Sequence, residues 1–143
     1  TFFCVKAGAE GDITPPEGET TSSWVAWSIQ DAPLANPSPL LHKGLIYLVS
    51  SRGGTVTCID AATGEQVYQE KTEGVAACWA SPWLYEDQVY FTDEKGTTRI
   101  FKAGRTFELT GENKLDDKFW SSVAVSSDAY LMKGTEKIYC LGL

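Results

Sequence analysis

The chain has 143 residues, 43% of them hydrophobic and 12% aromatic, enough to bury an ordinary single-domain core. Nineteen acidic against twelve basic residues leave a net charge of −7, spread along the chain. That excludes the concentrated basic surface that nucleic-acid binding needs and argues against adhesion to anionic membranes. No apolar run approaches the length of a membrane helix, and no stretch keeps an apolar period of 3.6, so little or no helix is expected.

In chain order, Phe2 to Ala7 reads as a strand. Gly8 to Ser23, with Pro15, Pro16 and three glycines, reads as an insertion loop, and Trp24 to Ile29 as a further strand. Four short strands follow at 37–42, 45–50, 55–60 and 65–71. They are separated by His42-Lys43-Gly44, Arg52-Gly53-Gly54 and Ala62-Thr63-Gly64, where glycine supplies the positive φ of tight hairpins. Four more are expected at 77–84, 88–93, 97–102 and 105–109, and three at 119–125, 128–132 and 136–141. All are rich in Val, Ile, Tyr, Phe and Thr, the residues that suit a pleated, half-buried segment.

These elements repeat. Phe3-Cys4-Val5-Lys6-Ala7, Thr57-Cys58-Ile59-Asp60-Ala61, Arg99-Ile100-Phe101-Lys102-Ala103 and Tyr139-Cys140-Leu141-Gly142-Leu143 end strands alike, with steps of 54, 42 and 40 residues. Upstream, Tyr47, Tyr90 and Tyr130 step by 43 and 40, as do Ser38, Ser81 and Ser121. A period near 40 with four short strands per unit is the signature of propeller blades. The reading is an all-β partial propeller of about three four-stranded antiparallel blades. Residues 1–29 form an incomplete blade with insertion loop 8–23, 36–71 and 77–110 two full blades, and 119–143 an incomplete last blade.

The segment Cys58-Ile59-Asp60-Ala61-Ala62-Thr63-Gly64-Glu65-Gln66-Val67-Tyr68 resembles the PQQ-like (quinoprotein-type) β-propeller repeat, Ala-x-Asp-x-x-Thr-Gly-x-x-x-Trp. Asp60, Thr63 and Gly64 match, Cys58 replaces the Ala and Tyr68 the Trp. Ser38-Pro39, Gly44 and Tyr47 match the upstream part of the pattern. The roles of Asp60, Thr63, Gly64 and Tyr68 are structural: an Asp that bonds turn amides, a reversal, and an aromatic ring that docks between blades. The resemblance implies a piece of a longer bacterial propeller of about seven or eight blades, and a periplasmic or secreted location. Thr1 opens the chain inside a repeat with no signal peptide, which accords with an excised or incomplete chain.

Chemistry is sparse. His42, the one histidine, sits in a turn where no neighbour in sequence nominates a partner for general-base work. No Gly-x-Ser-x-Gly elbow, phosphate loop, EF-hand spacing or Cys-x-x-Cys occurs. Cys4, Cys58 and Cys140 share one repeat position and belong to different blades, so they read as free thiols beyond disulfide reach, with Cys78 left open. No catalytic, cofactor-binding or metal-ligating residue is assigned. The quinone-dependent members of the resembling family use calcium and a disulfide between adjacent cysteines, and this chain has no adjacent Cys pair. PQQ and calcium therefore enter only with the alternative reading.

Trp79, Trp83 and Trp120 fall in or beside inner strands. They either pack between blades or line a binding face. The leading function is a non-catalytic scaffold that presents loops 30–37, 72–77 and 110–118, with turns 51–54 and 93–96, to a protein or peptide partner. The alternatives are a structural part of a quinoprotein oxidoreductase and an accessory propeller of a multidomain bacterial enzyme. Thirteen strands make an open arc, whose bare ends imply self-association.

Overall fold

A computed structural model describes residues 1–32 and 36–142. Among these residues there is no helix; thirteen strands form four antiparallel sheets. The first sheet pairs β1 (Phe2–Val5) with β2 (Val25–Ile29), the intervening loop carrying no strand. The second is the meander β3 (Leu40–His42), β4 (Leu45–Val49), β5 (Thr55–Asp60) and β6 (Gln66–Lys71). The third is β7 (Trp83–Tyr85), β8 (Gln88–Thr92), β9 (Thr97–Lys102) and β10 (Leu109–Lys114). The last holds β11 (Ala124–Val125), β12 (Ala129–Lys133) and β13 (Ile138–Gly142).

Alternation along each strand decides what it buries. Tyr47, Val49, Val56 and Cys58 of the second sheet meet Val89, Phe91 and Phe101 of the third in one continuous core, all essentially inaccessible to water. Each large side chain buried there contributes about 1.5–3 kcal/mol. A second cluster, Trp83, Phe119 and Met132 with Tyr90 and Tyr130, joins the third sheet to the last. Sheets thus bury their faces against their neighbours in sequence, as repeat architectures do.

The register of the last sheet differs from the sequence expectation by one residue. Leu40 pairs with Tyr47, Trp83 with Tyr90, and Ala124 with Leu131, so Leu131 rather than Tyr130 is the counterpart of the two tyrosines. The serines agree: Ser38 N donates to Ser81 Oγ (2.9 Å) and Ser81 N to Ser122 Oγ (3.0 Å), a ladder that skips Ser121. Because side chains alternate faces, the slip sends Tyr130 back onto Trp83, Tyr85 and Tyr90 of the preceding sheet.

Further boundaries move. The first strands are shorter than expected: Leu40–His42 for 37–42, Trp83–Tyr85 for 77–84 and Ala124–Val125 for 119–125, with no strand at 75–82. The outer strand begins at Leu109, not 105, because residues 103–108 are used as a docking turn. Gly104 N donates to Tyr47 Oη (2.8 Å), Arg105 pairs with Asp60, and Phe107 packs on Tyr68 and Phe101. The loop expected at 110–118 is consequently strand β10 as far as Lys114.

Candidate binding face

Asp60, Thr63 and Gly64 of the repeat motif stand at the outer turn of the second sheet. Asp60 Oδ1 accepts from Ala62 N (3.1 Å), Asp60 O from Gly64 N (2.8 Å), and Thr63 Oγ1 from Glu65 N (3.2 Å). Arg105 Nη1 reaches Asp60 Oδ2 at 2.9 Å, and this guanidinium, with the Ala62 amide, holds the carboxyl below its ordinary range. Tyr68 meets Phe107 edge-on at 5.8 Å between the second and third sheets. All four motif residues lie away from the hollow described next.

The loops that enter each first strand and the turns between second and third strands share one end of the sheets. Backbone bonds stitch them together across blades. Cys78 N donates to Ser51 O (2.9 Å) and, one unit on, Phe119 N to Glu94 O (3.3 Å). Asp93 anchors this end: it is buried, accepts from the Ala76, Lys95 and Thr97 amides, and pairs with the buried Arg99 at 3.4 Å.

Two residues before each ladder serine stand Asn36, Trp79 and Trp120. Together with Glu94 they line a hollow of about 450 Å³. Trp79 is half-buried and its indole Nε1 donates to Glu94 Oε2 at 3.0 Å. Trp120 is 61% exposed. The structure therefore brings together two of the three expected aromatics, Trp79 and Trp120. Trp83 is 6% exposed, stacks on Tyr90 at 5.4 Å, and lines a separate cleft of about 390 Å³ with Tyr90, Tyr130 and Met132. It belongs to the packing between sheets.

Of the expected loops, 72–77 and the turns 51–54 and 93–96 lie at this end; in loop 30–37, residues 33–35 fall outside the described residues, as does Leu143. Beside the hollow, Lys95, Lys114, Lys118, Asp116, Asp117 and Glu136 line a second, mixed-charge depression of about 420 Å³. Asp117 is committed there to backbone amides. Partial burial pushes its carboxyl up, but hydrogen bonds from Lys118, Thr135, Glu136 and Lys137 outweigh this and hold it at about 2.

His42 has a partner that its sequence neighbours did not reveal. At the opposite end of the sheets its Nε2 lies 2.7 Å from Asp87 Oδ1, and Lys43 Nζ reaches both Asp87 oxygens at 2.7 Å. The pair spans 45 residues of sequence and clamps two adjacent hairpin turns. Lys43 and His42 hold the Asp87 carboxyl below its ordinary range. A lysine sharing the carboxylate makes this an exposed ionic clamp.

The four cysteines are free. Cys4, Cys58 and Cys140 stand on β1, β5 and β13, in three different sheets. Burial pushes the Cys58 thiol up to about 11 and the Cys78 thiol up to about 12, which removes both from thiolate chemistry. Among the described residues no three His, Cys, Asp or Glu side chains converge as a metal site.

No protein-family profile and no curated protein sequence matches the chain. Solved structures do. BamB from Moraxella catarrhalis superposes with a TM-score of 0.53 at 10% identity over 73% of this chain and 42% of that one. Quinohemoprotein alcohol dehydrogenase from Comamonas testosteroni superposes with a TM-score of 0.54 at 16% identity over 73% of this chain and 18% of that one. The chain thus spans less than half the length of either neighbour. At these identities the likeness shows the fold alone, a partial β-propeller.

Proposed function

We propose that this chain is a non-catalytic binding propeller whose loop end, centred on Trp79 and Trp120, receives a protein or peptide partner. The observation that carries the reading is Trp120. A tryptophan 61% exposed beside a second, oriented tryptophan is an anchor of the kind that dominates interface energetics. Around it lie turns held rigid by buried polar networks, so little conformational entropy is lost on docking. We infer a periplasmic or secreted location on the strength of the repeat resemblance.

No cofactor is proposed. The hollow offers one carboxylate, Glu94, where calcium needs several converging oxygens, and the free cysteines stand on separate elements, so no adjacent pair could stack on a quinone. The donor set therefore does not fit a quinone with its metal.

Cross-linking and affinity capture test the proposal, with Trp120→Ala compared against Glu108→Ala, an exposed residue outside this face. Loss of a specific captured partner with Trp120→Ala but not with Glu108→Ala is expected. Equal capture by both variants would overturn the assignment of the face.

A further inference from the structure

We infer that the hollow between Trp79 and Trp120 takes a basic side chain, a lysine or arginine presented by the partner. This rests on the binding reading above and adds the chemistry of what enters.

Three observations carry it. Two indoles line one hollow of about 450 Å³, and the negative faces of indole rings attract a cation within about 6 Å. Glu94 forms the polar wall. Its Oε2 accepts from Trp79 Nε1, and among the described residues Glu94 has no lysine or arginine partner and its Oε1 no donor. The nearby lysines, Lys95 and Lys118, line the neighbouring depression instead. A negative charge thus stands on the wall of an aromatic hollow, in a chain of net charge −7. The counterparts of Glu94 in the units before and after are Ser51 and Thr135, so the combination of carboxylate and tryptophans arises at this blade alone.

The alternatives fit worse. An apolar group would strip water from the Glu94 oxygen without replacing its hydrogen bond, which costs free energy. An anion would meet the carboxylate head on. A lysine or arginine places its stem along the indoles and its charged head on the free oxygen, and that bond is charge-assisted.

The test uses the whole 143-residue chain, labelled with nitrogen-15. The indole N–H signals of Trp79 and Trp120 are assigned with Trp79→Phe and Trp120→Phe variants. Nα-acetyl-lysine amide is titrated against Nα-acetyl-norleucine amide, which keeps the whole carbon stem and lacks the charge. The expected result is saturable movement of both signals by the lysine compound, with norleucine weaker by about tenfold. Glu94→Gln keeps an oxygen to accept from Trp79 Nε1 and removes the charge. It is expected to weaken lysine binding about fivefold while the rest of the spectrum stays in place. Equal binding of the two compounds, no movement with either, or unchanged affinity in Glu94→Gln each overturns the inference. Those outcomes are separable from failure of the binding reading, because partner capture by Trp120→Ala is read in a different assay.

Discussion

The indole of Trp27 lies against Gly64 of the next sheet. Its Nε1 donates to Ala61 O at 3.1 Å, and a Cβ built on Gly64 would come within 2.6 Å of the ring. Gly64 also holds φ at +77°, where an L side chain is strained. Trp27 pairs with Cys4 as Tyr68 pairs with Cys58, so this is the repeat's aromatic docking one blade earlier. Gly64→Ala is expected to cost about 2–3 kcal/mol through the contact and the backbone together, and Trp27→Ala about 3–5 kcal/mol. Urea denaturation followed by far-UV circular dichroism checks both. A Gly64→Ala chain as stable as the parent would refute this account of the first interface.

Arg99 is held as tightly from the polar side. Its Nη1 pairs with Asp93, its Nε with Glu112 Oε2 at 3.2 Å, and its Nη2 donates to Glu73 O at 3.2 Å. Asp93 is only 1% exposed. Arg99→Met strands that carboxylate and is expected to cost about 3–5 kcal/mol. The double variant Arg99→Met with Asp93→Asn should cost less than the sum of the two single changes, since both remove the same pair. Full additivity would count against the pair as the cause.

Asp117 makes stability depend on acid. Its folded carboxyl sits at about 2, below the ordinary value of about 3.9 for an unfolded Asp. The unfolded chain therefore binds the proton first, so the contribution is complete above pH about 4 and is lost as pH falls toward 2. Asp117→Asn is expected to flatten the fall of the urea midpoint across that window. An unchanged acid slope would remove Asp117 as its source. Gly134→Ala tests the same cage sterically, since a Cβ there would run into the Asp117 carboxylate.

Both end sheets leave apolar side chains exposed. Leu131 and Cys140 pair on the face of the last sheet that points away from Met132, and Ile138, 74% exposed, shares it. Phe3 and Val5 stand about half exposed on the first sheet. Exposed apolar side chains at both ends favour association, and the two ends differ, so head-to-tail contacts are expected. Light scattering at micromolar concentration should show species above 15.6 kDa for this chain. Leu131→Lys with Ile138→Lys should reduce them to monomer. A monodisperse monomer in the parent chain would refute self-association.

The strand count, the meander order within each sheet and the Asp60-Thr63-Gly64 turn could be read from residue order. Alternation, glycine turns and a period near 40 are local properties of the chain, and hydrogen bonding along a hairpin follows from them. What needed the fold was every relation across that period. Tyr130 and Leu131 are both apolar enough for either face, so a one-residue slip changed no local signal, and only packing on Trp83 chose between them. Asp87 reached His42 from 45 residues away. Asp117 took over in space the turn-capping work that Asp93 does one blade earlier, because the corresponding position of the last blade is Gly134. Trp79, Trp83 and Trp120 looked alike as letters. The sheets separated them, burying the one whose strand faces a neighbour and leaving at the loop end the two whose segments only approach a strand, because burial depends on what stands opposite a residue and that is a property of the assembled sheets.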